Sequence, residues 1–488
     1  MRLLTLLSSI GIDEELKVDR DIKGIHYNSK YIEEDFIFIA IKGHQFDGHD
    51  FIDDAISNGA VAVIAERQVN NSLSIPCYIV EDSRKCLSLL ASKFYQFPSQ
   101  HHRIIGITGT NGKTTVSFML YHILKTAGKT CSLIGSVYHI INGKTYDSSH
   151  TTPDALTLHK LLSKSKDEFV IIEVSSHGLD QGRVDEIGFD YALFTNLTHD
   201  HLNYHHNLQA YFASKLKLFD LLNIKSGEAI VSTYTKFWSE KLVHHLMMKE
   251  IPVTTVGAHS HNDVIDYSNE FSNELIWSDS LLPISKLTIP KTGVYQNRNA
   301  LLAFVTAETC GISRLVIKEA LMSFTGVPGR FEMITYSHSR KAVIDYAHSP
   351  DAIYACLKTV KKFKPEKVIH VFGFRGDGDS SKRKKMLSFS VELSDLTIIC
   401  LDDLNGMSLE EMEVEWKRLA QSFNQNKIKM IPDRTLAIKF AMEQAIDDSW
   451  VVITGKGHEN YKQNFSINSK TDKESVMRIK DDIINYSK

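Results

Sequence analysis

The sequence predicts an α/β protein of three units built on mostly parallel sheets. Three observations carry the prediction. Short runs rich in Ile, Val and Phe alternate with segments of helical period, a glycine-rich turn joins one such run to a helix near residue 110, and nearly every later run ends in polar or glycine-bearing sequence. Ligands collect beyond the carboxyl ends of strands in such sheets, so the residues just after each run are the informative ones.

Residues 1–98 read as a small α/β unit. Phe36–Ile41 and Val61–Ala65 are the strand candidates, with a helix at Phe51–Ile56 between them. Two polar, glycine-bearing loops, His26–Lys30 and Lys42–His49, are ligand-contact candidates, although solvated turns would look the same. Pro98–His102 breaks the pattern and is expected to be a linker.

The middle unit, 99–333, is organised around Ile104–Thr115. An apolar run ends in Gly109-Thr-Asn-Gly112, and Lys113-Thr114-Thr115 opens a helical pattern. This is the layout of a phosphate cradle, in which backbone N–H groups and a helix N-terminus face the anion, Lys supplies a point charge and a Thr hydroxyl reaches Mg²⁺. Ile107 stands where the strict pattern has its first glycine; Gly109 and Gly112 compensate. Two further strands, Phe169–Val174 and Tyr191–Asn196, are followed by Ser175–Arg183 and Leu197–His206, which makes Glu173 and His201 metal-ligand candidates beside a phosphate. On a helix from about 208 to 222, Lys215 shares a face with Tyr211 and Leu218, where a lysine would ordinarily snorkel to solvent. A strand, a helix near Asn297 and the turn-rich exit Gly326–Glu332 complete the unit.

The last unit, 334–488, has strands at Ala342–Tyr346, Val368–Gly373, Leu396–Cys400 and Trp450–Thr454. Each ends in a loop of ligand-binding character, so one sheet edge forms a second ligand face. Composition excludes other classes. A net charge of −3 with scattered Lys and Arg gives no basic stripe for nucleic acid, and no apolar run has the length of a membrane span. The six cysteines are far apart without a C-x-x-C, which reads as buried thiols in a reducing compartment and argues against zinc. The N-terminus lacks a signal-peptide pattern, so a cytoplasmic protein is expected.

Seven strings, in this order, resemble the Mur ligase family, in its UDP-N-acetylmuramoyl-tripeptide synthetase branch: Thr108–Thr115, Thr151-Thr-Pro153, Glu173–His177, Asn196–Leu202, Gly329-Arg330, Asp345–His348 and Gly455–Glu459. The resemblance spans essentially the whole chain. It implies a UDP-sugar-binding domain, a central ATPase domain and a Rossmann-like domain that closes over ATP and brings an amino acid. The reaction implied is ATP-dependent, ADP-forming addition of the third amino acid to UDP-N-acetylmuramoyl-L-alanyl-D-glutamate through an acyl phosphate; separately, a monomer is expected.

Carried over by position, Ser29, His44 and Gln45 would contact the UDP-sugar, and Thr151, Thr152, Ser175, Gln181 and Arg183 the sugar-peptide. Gly109, Thr110, Asn111, Gly112, Lys113, Thr114 and Thr115, with Arg330 and Asp345, would bind ATP. Thr114, Glu173, His201 and a carbamoylated Lys215 would serve two Mg²⁺ ions; Lys113, Lys215, His201 and Arg330 would be catalytic. Arg375, Asp402, Asp403, Asn405, Gly455 and Glu459 would meet the acceptor amino acid.

The acceptor loops depart from the family pattern. Asp377-Gly-Asp379 stands where the family has Asp-Arg-Asp, and Asp402-Asp-Leu-Asn405 where diaminopimelate-adding members have Asp-Asn-Pro-Arg. Arg375 is the expected substitute for the missing carboxylate clamp. Diaminopimelate is therefore not assigned, and Asp402, Asp403 and Glu459 suit lysine or ornithine. Asn203 likewise replaces a usual Asp. The alternatives are a related amide ligase with another acceptor or carboxylate substrate, and a catalytically silent nucleotide-binding paralogue.

Overall fold

The computed structural model describes residues 1–12, 19–43, 46–68, 73–259, 261–268, 274–279, 284–289, 294–337 and 339–486. Among the described residues it forms three sheets, and the expected boundary at 333/334 falls inside the first strand of the third.

The first sheet is parallel, Gly24–His26, Phe36–Ile39, Ala60–Ala65 and Cys77–Ile79 in chain order. Its two outer strands are too short to leave a periodic signal, and only the inner pair is legible in sequence. The expected helix is Ile52–Ser57, entered through a turn of 3₁₀ helix. Asp82 caps the helix Ser83–Phe94 by accepting from the Arg84 and Lys85 N–H groups. That helix packs against Ala155–Lys164 of the middle unit, so Ala155 and Leu156 belong to the first domain's core. Each fully buried leucine there contributes about 1.5–3 kcal/mol, which makes the two units adhere. Pro98–His101, expected as a linker, forms one 3₁₀ turn.

The second sheet centres on Arg103–Thr108, flanked by Phe169–Glu173 and Tyr191–Phe194, all parallel. Every residue of Phe169–Glu173 is buried, as a strand with both faces covered requires. Cys131–Ile134 continues the parallel core on one side, and Glu228–Ser232 and Val253–Gly257 on the other. Antiparallel strands close both ends. The chain thus leaves the central strand for one side and later fills the other, which opens a crevice at that strand's carboxyl end.

The third sheet runs Glu332–Thr335, Lys341–Asp345, Trp450–Thr454, Val368–Phe372, Leu396–Ile399, Ile428–Met430, parallel except for the first pair. Because Glu332–Thr335 already belongs to it, the crossing from the middle unit lies in Gly326–Phe331. Gly329 has φ 66° and its Cβ position abuts the His458 backbone N–H, so the crossing turn interlocks with the Gly455–Glu459 loop.

Candidate active site

The carboxyl edges of the second and third sheets face each other across a cleft of about 550 Å³. Thr110–Thr115, Thr151, Thr152, Ser175, Arg183, His201, Arg330, Asp345 and Arg375 all line it. In sequence these residues lie in separate parts of the chain; the fold brings them together.

The cradle is held from below. Gly109 takes φ 145°, and a Cβ there would run into Thr195 Oγ1. Asn196, at the end of the neighbouring strand, accepts the Asn111 N–H (2.9 Å) and donates to the Asn111 carbonyl (3.0 Å), while Thr195 Oγ1 donates to the same carbonyl (2.6 Å). The loop's shape is therefore braced by the neighbouring strand end. Gly112 caps the helix Lys113–Thr126 with φ 90°.

Two lysines converge on this loop. Lys113 Nζ donates to the Gly109 and Thr110 carbonyls at 2.8 and 3.0 Å, and Lys215 Nζ to Gly109 at 2.9 Å. Burial pushes Lys113 down to about 8, opposed by Glu173 and reinforced by Arg330. Lys215 is buried and driven well below the ordinary lysine value, first by desolvation and then by Lys113. Its Nζ stands 4.4 Å from the Tyr211 ring centre, so it points inward and does not snorkel.

Glu173 is wholly buried and accepts from Thr114 Oγ1 (2.8 Å), Ser136 N–H (3.1 Å) and Ser136 Oγ (3.0 Å). The Arg330 guanidinium reaches Thr114 Oγ1 at 3.2 Å and lies over Tyr346 at 4.1 Å. Asp345 accepts from the Phe331 and Ala347 N–H groups at 2.6 and 2.8 Å, and burial raises its carboxyl. His201 adopts φ 56° as a helix N-cap, and desolvation pushes it down to about 3, so it stays neutral near pH 7. Among the described residues, no three His, Cys, Asp or Glu side chains converge to hold a metal ion by themselves. Thr114 with Glu173 nevertheless forms a hard-oxygen pair of the kind that shares Mg²⁺ with a polyphosphate.

Further along the cleft, Thr152 Oγ1 donates to the Glu173 carbonyl (2.9 Å), and Arg183 bonds the Thr152 carbonyl (2.6 Å) and Gln181 Oε1 (2.7 Å). Gln181 thus orients Arg183 and does not itself line the cleft. Ser29 is buried in the first domain, where its carbonyl accepts from Asn58, and it is not among the lining residues. Its loop does approach: Tyr27 interacts with Asp154 and Arg183, and burial raises its hydroxyl to about 12. His44 and Gln45 lie outside the described residues.

The acceptor candidates are distributed differently from the sequence expectation. Arg375 and Asp402 line a second pocket of about 130 Å³ with Gly378. Arg375 is not a free clamp, because its Nη2 donates to Glu459 Oε2 at 2.5 Å and to the Gly455 carbonyl at 3.3 Å. Asp403 is paired with Lys456 at 2.7 Å and Lys462 at 3.3 Å. Asn405 donates to the Gly376 carbonyl (3.1 Å) at φ 46°, which is a turn-bracing role. The acidic set expected to await an amine is thus already matched by the chain's own cations.

Asp200 is the principal residue that sequence reasoning passed over. It is buried, 2.7 Å from Lys382 Nζ and 3.5 Å from His348 Nε2, both of the third domain. Although desolvation works to raise it, His201, His348 and Lys382 hold its carboxyl well below the usual range. His199 to Asp379 (3.0 Å) and His458 to the Ser136 carbonyl (3.3 Å) are further bridges. Asp200 stands inside the Asn196–Leu202 string, but its partner Lys382 lies in a separate domain that no local pattern could link to it.

Models of three domains match successive parts of the chain: the Mur ligase family catalytic domain over 21–95, the Mur ligase middle domain over 107–307 and the Mur ligase glutamate ligase domain over 329–457. A UDP-N-acetylmuramoyl-L-alanyl-D-glutamate--2,6-diaminopimelate ligase of Syntrophomonas wolfei is 34% identical over 472 residues, covering 95% of this chain and 95% of the relative. The chain belongs to the Mur ligase family. The Aquifex aeolicus protein of the same name is 36% identical over 91% of this chain and 90% of its own length. Among solved structures, one of a ligase with that name superposes with a TM-score of 0.67 at 26% identity over the whole of both chains. The MurF ligase of Thermotoga maritima in complex with ADP, 20% identical, shares the fold with a TM-score of 0.66, covering 95% of this chain and 98% of its own. This Mur ligase therefore keeps the family's three-domain architecture, as expected from its seven strings.

Proposed function

We propose that this protein is an ATP-dependent, ADP-forming ligase that adds the third amino acid to UDP-N-acetylmuramoyl-L-alanyl-D-glutamate, in peptidoglycan precursor synthesis. The observation that carries the reading is the convergence of Lys113, Thr114 and Arg330 in a cleft that opens, past Asp200, into a pocket of third-domain loops. The names of the relatives support the same donor substrate.

A carboxylate does not exchange its oxygen for an amine directly. The donor's terminal carboxylate oxygen attacks the γ-phosphorus of ATP, ADP leaves, and the acceptor amine displaces phosphate from the acyl carbon. Lys113 and Arg330 offset charge on the transferring phosphoryl group, where positioning and preorganised electrostatics supply most of the acceleration. Thr114 and Glu173 would hold one Mg²⁺, and His201 with Lys215 as carbamate a second; the ions' contribution is to neutralise phosphate charge. Lys215 suits carbamoylation because burial lowers its basicity and so favours the free amine, whose nitrogen would add to CO₂ with release of a proton. Thr151, Thr152, Ser175 and Arg183 orient the donor peptide, and closure of the third domain keeps water from the acyl phosphate.

The test is incubation with ATP, Mg²⁺, the UDP-dipeptide and a mixture of amino acids, with products weighed by mass spectrometry. ADP release that depends on the UDP-dipeptide, with a product heavier by one residue, is expected. Nucleotide binding with no such product would favour a silent paralogue.

A further inference from the structure

We propose that Ser136 is a positioning residue that couples the two halves of the cleft: its single hydroxyl hydrogen passes between Glu173, on the nucleotide side, and Thr151, on the donor-peptide side. The proposal rests on the ligase reading above and deepens it, by naming how occupancy of one substrate's site is felt at the other.

Ser136 follows the strand Cys131–Ile134 by two positions and lines the cleft. Gly135 lets the turn come close, because a Cβ there would run into Glu173 Oε1. Glu173 Oε1 then accepts the Ser136 N–H at 3.1 Å, which fixes the serine's backbone against the carboxylate. From there the Ser136 hydroxyl faces two acceptors at the same distance, Glu173 Oε2 at 3.0 Å and Thr151 Oγ1 at 3.0 Å. The loop that carries Thr151 is tied to the same turn, since Ser148 Oγ stands 2.7 Å from the Gly135 carbonyl and 3.0 Å from the His150 carbonyl. The third domain reaches the serine as well, through His458 Nε2 and the Ser136 carbonyl at 3.3 Å. That contact uses the backbone alone and leaves the hydroxyl to its two acceptors.

A hydroxyl has one hydrogen and satisfies one acceptor fully at a time. A carboxylate is the stronger of the two, so with nothing else at Glu173 the hydrogen belongs to Oε2, beside the one donated by Thr114 Oγ1 at 2.8 Å. Once Glu173 is shared with a cation it has less negative charge to offer, and the Ser136 hydrogen turns to Thr151. A hydroxyl that accepts a hydrogen bond becomes a better donor. Thr151, which also lines the cleft, then offers its own hydrogen more strongly to a carbonyl or carboxylate oxygen of the donor peptide. Loading of the nucleotide side thus tightens the donor side, and by linkage the donor tightens the nucleotide side by the same factor.

Calorimetric titration with UDP-N-acetylmuramoyl-L-alanyl-D-glutamate, alone and with saturating Mg²⁺ and the β,γ-methylene analogue of ATP, measures that factor without turnover. If the donor does not bind even with Mg²⁺ and the analogue present, the ligase reading falls and this proposal with it. If it binds, its Kd should be lower by about fivefold or more than without them; equal values overturn the proposal and leave the ligase reading standing. Ser136→Ala deletes the hydroxyl and keeps the backbone contact to His458. The ratio of the two Kd values should then fall close to one, while each ligand by itself binds nearly as before. An unchanged ratio overturns the proposal, and so does a folded variant that has lost both separate affinities, because Ser136 would then be a structural prop. If circular dichroism shows that the alanine variant does not fold, Ser136→Thr takes its place. It retains the hydroxyl and should retain the ratio, and a folded threonine variant without coupling overturns the proposal.

Discussion

Lys113 and Lys215 donate to the same carbonyl, that of Gly109, and desolvation inside this loop lowers the basicity of both, with Arg330 adding to it at Lys113 and Lys113 adding to it at Lys215. A pH dependence of definite sign results. Lys113 titrates near 8 in the native protein against 10.5 ordinarily, so between those values the unfolded chain holds a proton that the native one has released. Its burial penalty is therefore present below pH 8 and relieved as pH rises toward 10.5. A triphosphate beside Lys113 restores the proton. ATP binding at pH 8.5 should take up protons, seen as a calorimetric enthalpy that varies with buffer ionisation enthalpy, and this uptake should shrink toward zero at pH 6.5. Equal uptake at both values would contradict the titration of Lys113. For Lys215, the alanine variant should lose activity by about 10²-fold or more and regain part of it with a short carboxylate such as formate. An active Lys215→Ala protein would remove the carbamate from the mechanism.

At the scale of elements, the acceptor loops depend on a buried ion pair well behind them. Arg434, opening the helix Arg434–Glu443, binds Asp472, at the start of the helix Asp472–Tyr486, through 2.7 and 2.8 Å bonds. It also bonds the Thr454 carbonyl at 2.9 Å, fixing the strand end from which Gly455–Glu459 departs. Both side chains are fully buried, so Arg434→Ala leaves Asp472 as an unpaired internal charge. A loss of about 3–5 kcal/mol is expected in urea unfolding followed by the fluorescence of Trp416 and Trp450. A change below about 1 kcal/mol would place the pair among those that add nothing to stability.

Across the whole molecule, the second and third sheets meet edge to edge, and Asp200 is the fastening. It binds Lys382 and His348 while sitting next to His201, so the contact that closes the domains also shapes the reacting end of the cleft. Asp200→Asn should leave the domains folded but more separated. X-ray scattering with ATP and the UDP-dipeptide should give a larger radius of gyration, and kcat should fall by about tenfold or more. An unchanged radius with full activity would show that closure rests on the other bridges.

The sequence by itself determined what is local. The strand, glycine turn and helix of the cradle are consecutive residues, and Phe169–Glu173 announces its burial by being apolar almost throughout, so Lys113, Thr114 and Glu173 could be named without coordinates. The short strands Gly24–His26 and Cys77–Ile79 could not, since three residues carry no period. Only the tertiary structure decided charge pairing. Asp402, Asp403 and Glu459 read as a waiting acidic cluster in sequence, whereas folding sets Arg375 and Lys456 against them. Asp200 meets a lysine 182 positions away. Periodicity reports which face a residue turns to the core, but electrostatic complementarity depends on distances between segments that the chain's order does not contain.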